Sequence, residues 1–185
     1  MKAILFQSFL DLVEAQYGAD TLDGILADVD APSGGIYTAS GDYSHIELIE
    51  LIVALSKRTH LSVSNLTKSF GMYHFAEFIA AYPQLFTDLH CSFELLEKVD
   101  SFIHKEVQAL YLGAKPPKFE FSRKSQNTIE LIYHSHRCMG DVAEGLILGC
   151  AAYYGEKINI KRETLGDGSG SIERFLLTQQ FSNMR

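Results

Sequence analysis

Apolar residues recur at three- and four-residue intervals through the first part of the chain, then at every second position further on. Ile4, Leu5, Phe9, Leu12 and Val13 keep the helical spacing, and Gly18 closes that run. Residues 21–27 predict a short second helix, after which Pro32, Ser33, Gly34 and Gly35 break the chain. Ser44 with Glu47 has the form of a capping box opening the apolar run 48–55. Residues 62–70 and 73–81 predict two helices, separated near Gly71 and stopped by Pro83. The longest helical pattern is 93–112, ended by Gly113 and then Pro116-Pro117.

Beyond those prolines the spacing changes. Residues 118–122 and 128–137 alternate as strands do and are joined by a polar turn, 123–127. Residues 142–153 form an apolar helix closed by Gly155, and 157–163 and 171–178 predict a second strand pair around the glycine-rich loop 166–170. There is no repeat, low-complexity tract or linker. The order predicts an α+β plan, a helical lobe followed by an antiparallel sheet with one helix packed on it. A single domain over 1–185 is expected, its helical lobe covering about 1–83 and the long helix with the sheet about 84–185.

Composition narrows the function. Charged residues make up 21% of the chain and the formal charge is −7, with lysines and arginines scattered, which argues against a nucleic-acid partner. Cys91, Cys138 and Cys150 lie far apart with no CxxC pair, which fits neither a disulfide framework nor a zinc ribbon. The opening residues carry Gln7, Asp11 and Glu14 at helical spacing, so an amphipathic helix explains them better than a signal peptide. No stretch approaches the ~20 unbroken apolar residues of a membrane span. A cytoplasmic protein is expected.

Two features carry candidate chemistry. If 128–137 is one strand, Ile129, Leu131, Tyr133, Ser135 and Arg137 share a face. Its phenol, hydroxyl and guanidinium suit the two carboxylates of a flat apolar ligand, Arg137 gripping one in bidentate fashion. The same residues also suit a strand end emerging into solvent. In the long helix, counting at about 100° per residue places Leu96, Val99, Ile103, Val107 and Leu110 on one arc, with His104 at its edge. A half-buried imidazole there could ligate haem iron through Nε2, or sit at the boundary with one nitrogen in water.

Together these residues resemble the H-NOX (haem nitric oxide/oxygen-binding) family over essentially the whole chain. The stretch VDSFIHKEVQALYLGAKPPKF looks like its proximal helix and YHSHR like its Tyr-x-Ser-x-Arg motif; MKAILFQSF, KSFGMYHFAEF and CMGDVAEGLILG resemble family segments in order. The resemblance implies a four-stranded antiparallel sheet and haem b (iron protoporphyrin IX) buried between the lobes. It further implies His104 as iron ligand, Tyr133, Ser135 and Arg137 on the propionates, and Pro117 pressing on the macrocycle.

Family members that hold O2 carry a distal tyrosine shortly after the motif arginine, at the position of Val142 here. A pocket built from Leu5, Phe9, Phe78, Val142 and Leu146 would offer apolar contacts alone, which predicts binding of NO and CO over O2. His74 corresponds to a position facing that pocket; it could donate to a ligand, reach the iron, or pack at the rim, and Tyr43 and Tyr73 are further candidate donors. His134 and His136 alternate on the opposite face. Gly140 and Val142 stand where some members carry zinc cysteines, so no zinc is expected. NO is expected to break the His104–iron bond. The chain closes near Arg185 without an effector module, so the signal is expected to pass to a separate protein. The resemblance implies a sensor histidine kinase or a cyclic-di-GMP enzyme in a bacterium. The alternatives are a peroxidase-like haem enzyme, which would need a distal acid–base pair, and a haem-free small-molecule or interaction module on the same fold.

Overall fold

A computed structural model describes residues 1–39 and 41–180, so the terminal segment through Arg185 lies outside the described residues. Four helices come first: α1 (Ala3–Tyr17), α2 (Ala19–Asp28), α3 (His45–Thr59) and α4 (Val63–Ala81). A 3-10 turn at Pro83–Leu85 leads to α5 (Ser92–Glu97), a π-helical turn at Val99–Ile103 and α6 (His104–Leu110). Then follow β1 (Lys118–Ser125), β2 (Thr128–His134), α7 (Gly140–Tyr153), β3 (Lys157–Thr164) and β4 (Ile172–Gln180). The four strands form one antiparallel sheet in the order β1-β2-β4-β3. Two hairpins thus lie side by side, and α7 is the connection between them.

The alternation predicted for the strands is what the sheet uses. Ile129, Leu131 and Tyr133 of β2 are buried opposite Leu177, Phe175 and Glu173 of β4, so one sheet face is apolar and covered. That face packs with Phe93, Leu96, Ile147 and Cys150 into one core cluster. A second cluster gathers Phe6, Phe9 and Leu12 of α1 with Leu48, Leu51 and Leu55 of α3 and Phe70 of α4. Helix α4 serves both, because Phe75 and Ile79 further along it belong to the sheet-side cluster.

Four expectations are corrected. Gly71 does not divide α4, which runs unbroken through it. The cost of a helical glycine, about 1 kcal/mol, is outweighed here by close packing: a Cβ on Gly71 would lie 2.9 Å from the Gly145 Cα of α7. The long helix expected over 93–112 is instead two short helices with a π turn between, where both Phe102 and Ile103 donate backbone N–H to the Lys98 carbonyl (2.9 and 3.1 Å). It also ends early, and Leu110, placed on the apolar arc, is 45% exposed. Strand β2 ends at His134, so Ser135 and Arg137 sit in the following turn rather than on the strand face. Finally, the capping box at Ser44 is only half made. Ser44 accepts from the Ile46 N–H (3.2 Å), while Glu47 is buried and takes a hydrogen bond from Ser33 Oγ (2.6 Å).

The turn after β2 is braced from below. Arg162 of β3 is ion-paired to Asp141, Glu144 and the buried Glu173, tying the start of α7 to the sheet.

The α4–α7 crossing gives a direct test. Gly145→Ala puts a methyl against the α4 backbone, and overpacking of this kind costs typically about 1–3 kcal/mol. Urea denaturation should show that loss; an unchanged midpoint would mean the two helices can part freely.

Candidate cofactor site

Between the two core clusters lies a cavity of about 570 Å³, within the range of small-molecule and cofactor sites. Its walls are apolar and come from both lobes: Leu5 of α1, Phe78 of α4, Val142 and Leu146 of α7, Leu96 and Val107 of the α5–α6 segment, and Phe119 of β1. Nearly every site residue expected from sequence lines it, including His74, His104, Pro117, Tyr133, Ser135 and Arg137. Phe9 does not. It is fully buried behind the wall, edge-on to Phe70 (ring centroids 5.6 Å apart), and Phe70 lines the cavity in its place. Tyr43 and Tyr73 are not among the lining residues either; the Tyr43 hydroxyl is taken by the Thr38 N–H at 2.8 Å.

His104 opens α6 immediately after the π turn, so the wide turn determines which way its ring projects. Its Nδ1 lies 3.4 Å from Asp100 Oδ1, a long contact, and the same oxygen accepts the Phe119 N–H of β1 at 3.1 Å. Asp100 therefore joins the π turn to the sheet edge and orients the imidazole. Burial lowers the His104 pKa below the ordinary value, opposed by the Asp100 carboxylate. A neutral ring whose Nδ1–H is directed to a carboxylate has a bare Nε2, the form in which imidazole ligates a metal.

The three donors line the cavity without sharing a strand, Tyr133 from β2 and Ser135 and Arg137 from the turn that follows it. Tyr133 is buried, its oxygen accepts the Met139 N–H (3.2 Å), and loss of hydration raises its pKa. Ser135 Oγ accepts the Arg137 N–H (3.2 Å), and Arg137 Nη1 donates to the Lys115 carbonyl (2.8 Å). These contacts close a turn in which Cys138 takes a positive φ of 53°. Lys2, Lys115 and Met1 also line the cavity, as does Asp42, paired to Lys2 at 2.6 Å. One end of the cavity is thus cationic. Sequence reading missed Lys2, Lys115 and Asp100; the i,i+4 offset of Asp100 from His104 was the available signal.

His74 of α4 stands in the wall with Nδ1 3.1 Å from Ser8 Oγ. The two histidines of β2 and its turn do not gather a metal. His134 meets Glu120 at 3.1 Å, the His136 ring lies edge-on to His45, and no cluster of three or more metal-ligating side chains occurs among the described residues. At the far end of α4, Tyr82 and Tyr111 share a hydrogen bond of 2.8 Å, linking α4 to the exit of α6.

An apolar slot, a neutral imidazole on its wall and cationic donors at one end match the chemistry of an iron porphyrin, which is flat and apolar, takes imidazole at its metal and carries two carboxylates. The residues present fit that group. The family model described as Haem-NO-binding matches residues 2–162.

The chain belongs to the haem-NO-binding (H-NOX) family.

This is a family of haem-based gas sensors rather than enzymes, whose domains generally signal to partner proteins. Solved H-NOX structures agree along the full chain. The Fe(II) unliganded protein from K. algicida is 29% identical with a TM-score of 0.91, each chain covered completely. The H-NOX of Shewanella woodyi, solved with IWP-051 in the Fe(II)CO state, is 38% identical over 100% of this chain and 99% of its own, with a TM-score of 0.82. That of S. oneidensis in the Fe(II)NO state is 25% identical over 98% and 100%, with a TM-score of 0.89. No curated protein sequence matches significantly. Among the described residues, no helix is long and apolar enough to cross a membrane.

His74 in the cavity wall also makes a pH prediction. Loss of hydration pushes its pKa from 6.5 to about 4, so between those values the unfolded chain binds a proton that the native chain refuses. This group leaves stability unchanged above about 6.5, erodes it as pH falls, and reaches its full penalty, roughly 3 kcal/mol, below about 4. Urea denaturation at about pH 7.5 and about pH 4.5 should show a smaller acid loss in His74→Leu than in the wild type; equal losses would contradict it.

Proposed function

We propose that this H-NOX chain is a nitric oxide sensor of the bacterial cytoplasm. It takes NO, and CO, on ferrous haem b, forms little or no stable O2 complex, and signals through loss of the bond between His104 and the iron. The observation that carries this reading is the orientation of His104, whose Nδ1 faces Asp100 and whose Nε2 is left for the cavity. A bound haem would supply a ferrous iron able to take diatomic gases.

The chain's own residues then divide the work. His104 would ligate the iron, with Asp100 keeping its tautomer. Arg137, with Tyr133 and Ser135, would hold the propionates, which would take the place of the Lys115 carbonyl as acceptor for Arg137. Pro116 and Pro117 line the cavity on a stiff exit from α6, where Pro117 would bear on the macrocycle. Leu5, Phe78, Val142 and Leu146 give ligands apolar contact only, whereas bound O2 gains from a hydrogen-bond donor. Release of His104 from a bound haem would leave α6 and the π turn held by the Asp100 bridge to β1 and the Tyr82–Tyr111 contact rather than by the cofactor. That change biases a two-state equilibrium, read by a separate protein, a sensor histidine kinase or a cyclic-di-GMP enzyme.

His104→Ala should lose haem, and added imidazole should restore it; an unchanged haem content and absorption spectrum would remove His104 from this role. Arg137→Ala should lower haem retention on dilution. An anaerobic NO titration should yield the spectrum of a five-coordinate ferrous nitrosyl, and a stable oxy spectrum in air would contradict the stated selectivity.

A further inference from the structure

Behind the cavity wall runs a chain of three polar side chains. His74 Nδ1 is 3.1 Å from Ser8 Oγ, and Ser8 Oγ in turn donates to the Glu77 carboxylate. Ser8 is buried in the otherwise apolar face of α1, while Glu77 lies one turn beyond His74 on α4 and is partly open to solvent. We propose that Glu77 and Ser8 fix His74 in the tautomer whose cavity-facing Nε2 carries a lone pair and no proton, so that the pocket presents ligands with an acceptor. The inference rests on the sensor reading above and deepens it, by assigning His74 and its two partners to ligand selection.

The polarity follows from counting hydrogens. A carboxylate only accepts, so the single Ser8 hydroxyl hydrogen is committed to Glu77. Ser8 Oγ can then only accept from the ring, which places the proton of the neutral imidazole on Nδ1. Burial keeps the ring neutral, since its pKa falls to about 4. With Nδ1 turned to Ser8, Nε2 is the nitrogen left to the cavity. The reverse polarity would need a protonated Glu77 donating to Ser8 and Ser8 donating to Nδ1.

This assigns a purpose to a histidine where a donor would defeat selectivity. O2 on ferrous iron carries partial negative charge and is stabilised by N–H; a lone pair repels it. NO and CO carry little charge and tolerate either. A histidine at this place therefore acts against O2 only while its outer partners hold the tautomer. Ser8 and Glu77 are positioning residues that work through His74.

The test uses the full chain in its ferrous CO form, which is diamagnetic, labelled with 15N-histidine. Long-range 1H–15N correlation should show His74 Nδ1 protonated and Nε2 bare. In Glu77→Gln the amide can donate to Ser8 and reverse the chain, so the Nε2–H tautomer should appear. Ser8→Ala should give a mixture. The C–O stretch should move to lower wavenumber in both variants, with a gain in O2 affinity of about tenfold, the value of one neutral hydrogen bond. A protonated Nε2 in the wild type would overturn the proposal, and so would an unaltered tautomer in both variants. Should Ser8→Ala not fold, Glu77→Gln decides alone, at a partly exposed site. A purified chain with no Soret band after haem supply would instead sink the sensor reading, while the His74 tautomer would still be read on that chain.

Discussion

A histidine ring withdrawn from water gives up its proton first, and the cavity between the lobes holds two such rings, His74 and His104. Each is tethered at Nδ1, one to Ser8 and the other to Asp100, and both residues line the same space. Two neutral bases facing one apolar slot make a demanding arrangement, because neither can move far without stranding a polar atom. The surrounding packing serves that need. Close backbone contact between α4 and α7 fixes the wall bearing His74, and the Asp100 bridge to β1 fixes the segment bearing His104.

The cavity is also polar in one direction only. Lys2, Lys115 and Arg137 gather at one end, whereas Val142, Leu146 and Phe78 leave the interior without charge. An amphipathic ligand with acidic groups on one edge has a single favourable way in. The ion-paired Arg162 beneath the start of α7 keeps the turn carrying Ser135 and Arg137 in place.

Much of this was legible in the sequence because it depends on local spacing. The alternation over 128–137 and 171–178 gave the buried sheet face, while His104, Tyr133, Ser135 and Arg137 took their expected roles from the family resemblance and line the cavity. What could not be read depends on partners far along the chain. Gly71 looks like a helix break until Gly145 is set against it. Phe9 has the spacing of a lining residue, yet the edge-on Phe70 takes that position. The π turn adds a residue that no period of 3.6 contains, so an even helical count carried through 93–112 drifts off the true face by Leu110. Ser135 and Arg137 reach the site through a turn closed by their own hydrogen bonds, and alternation has no access to that. Ser8 gave a weak signal, a lone hydroxyl on the apolar side of α1, whose meaning appears only beside His74 and Glu77.

The phenol pair Tyr82–Tyr111 links the trailing ends of the two helical stretches that carry the cavity's imidazoles. A shift at the end of α6 is therefore handed to the end of α4, while α5, buried in the core and hydrogen-bonded through Ser92 to Glu156, is held where it is.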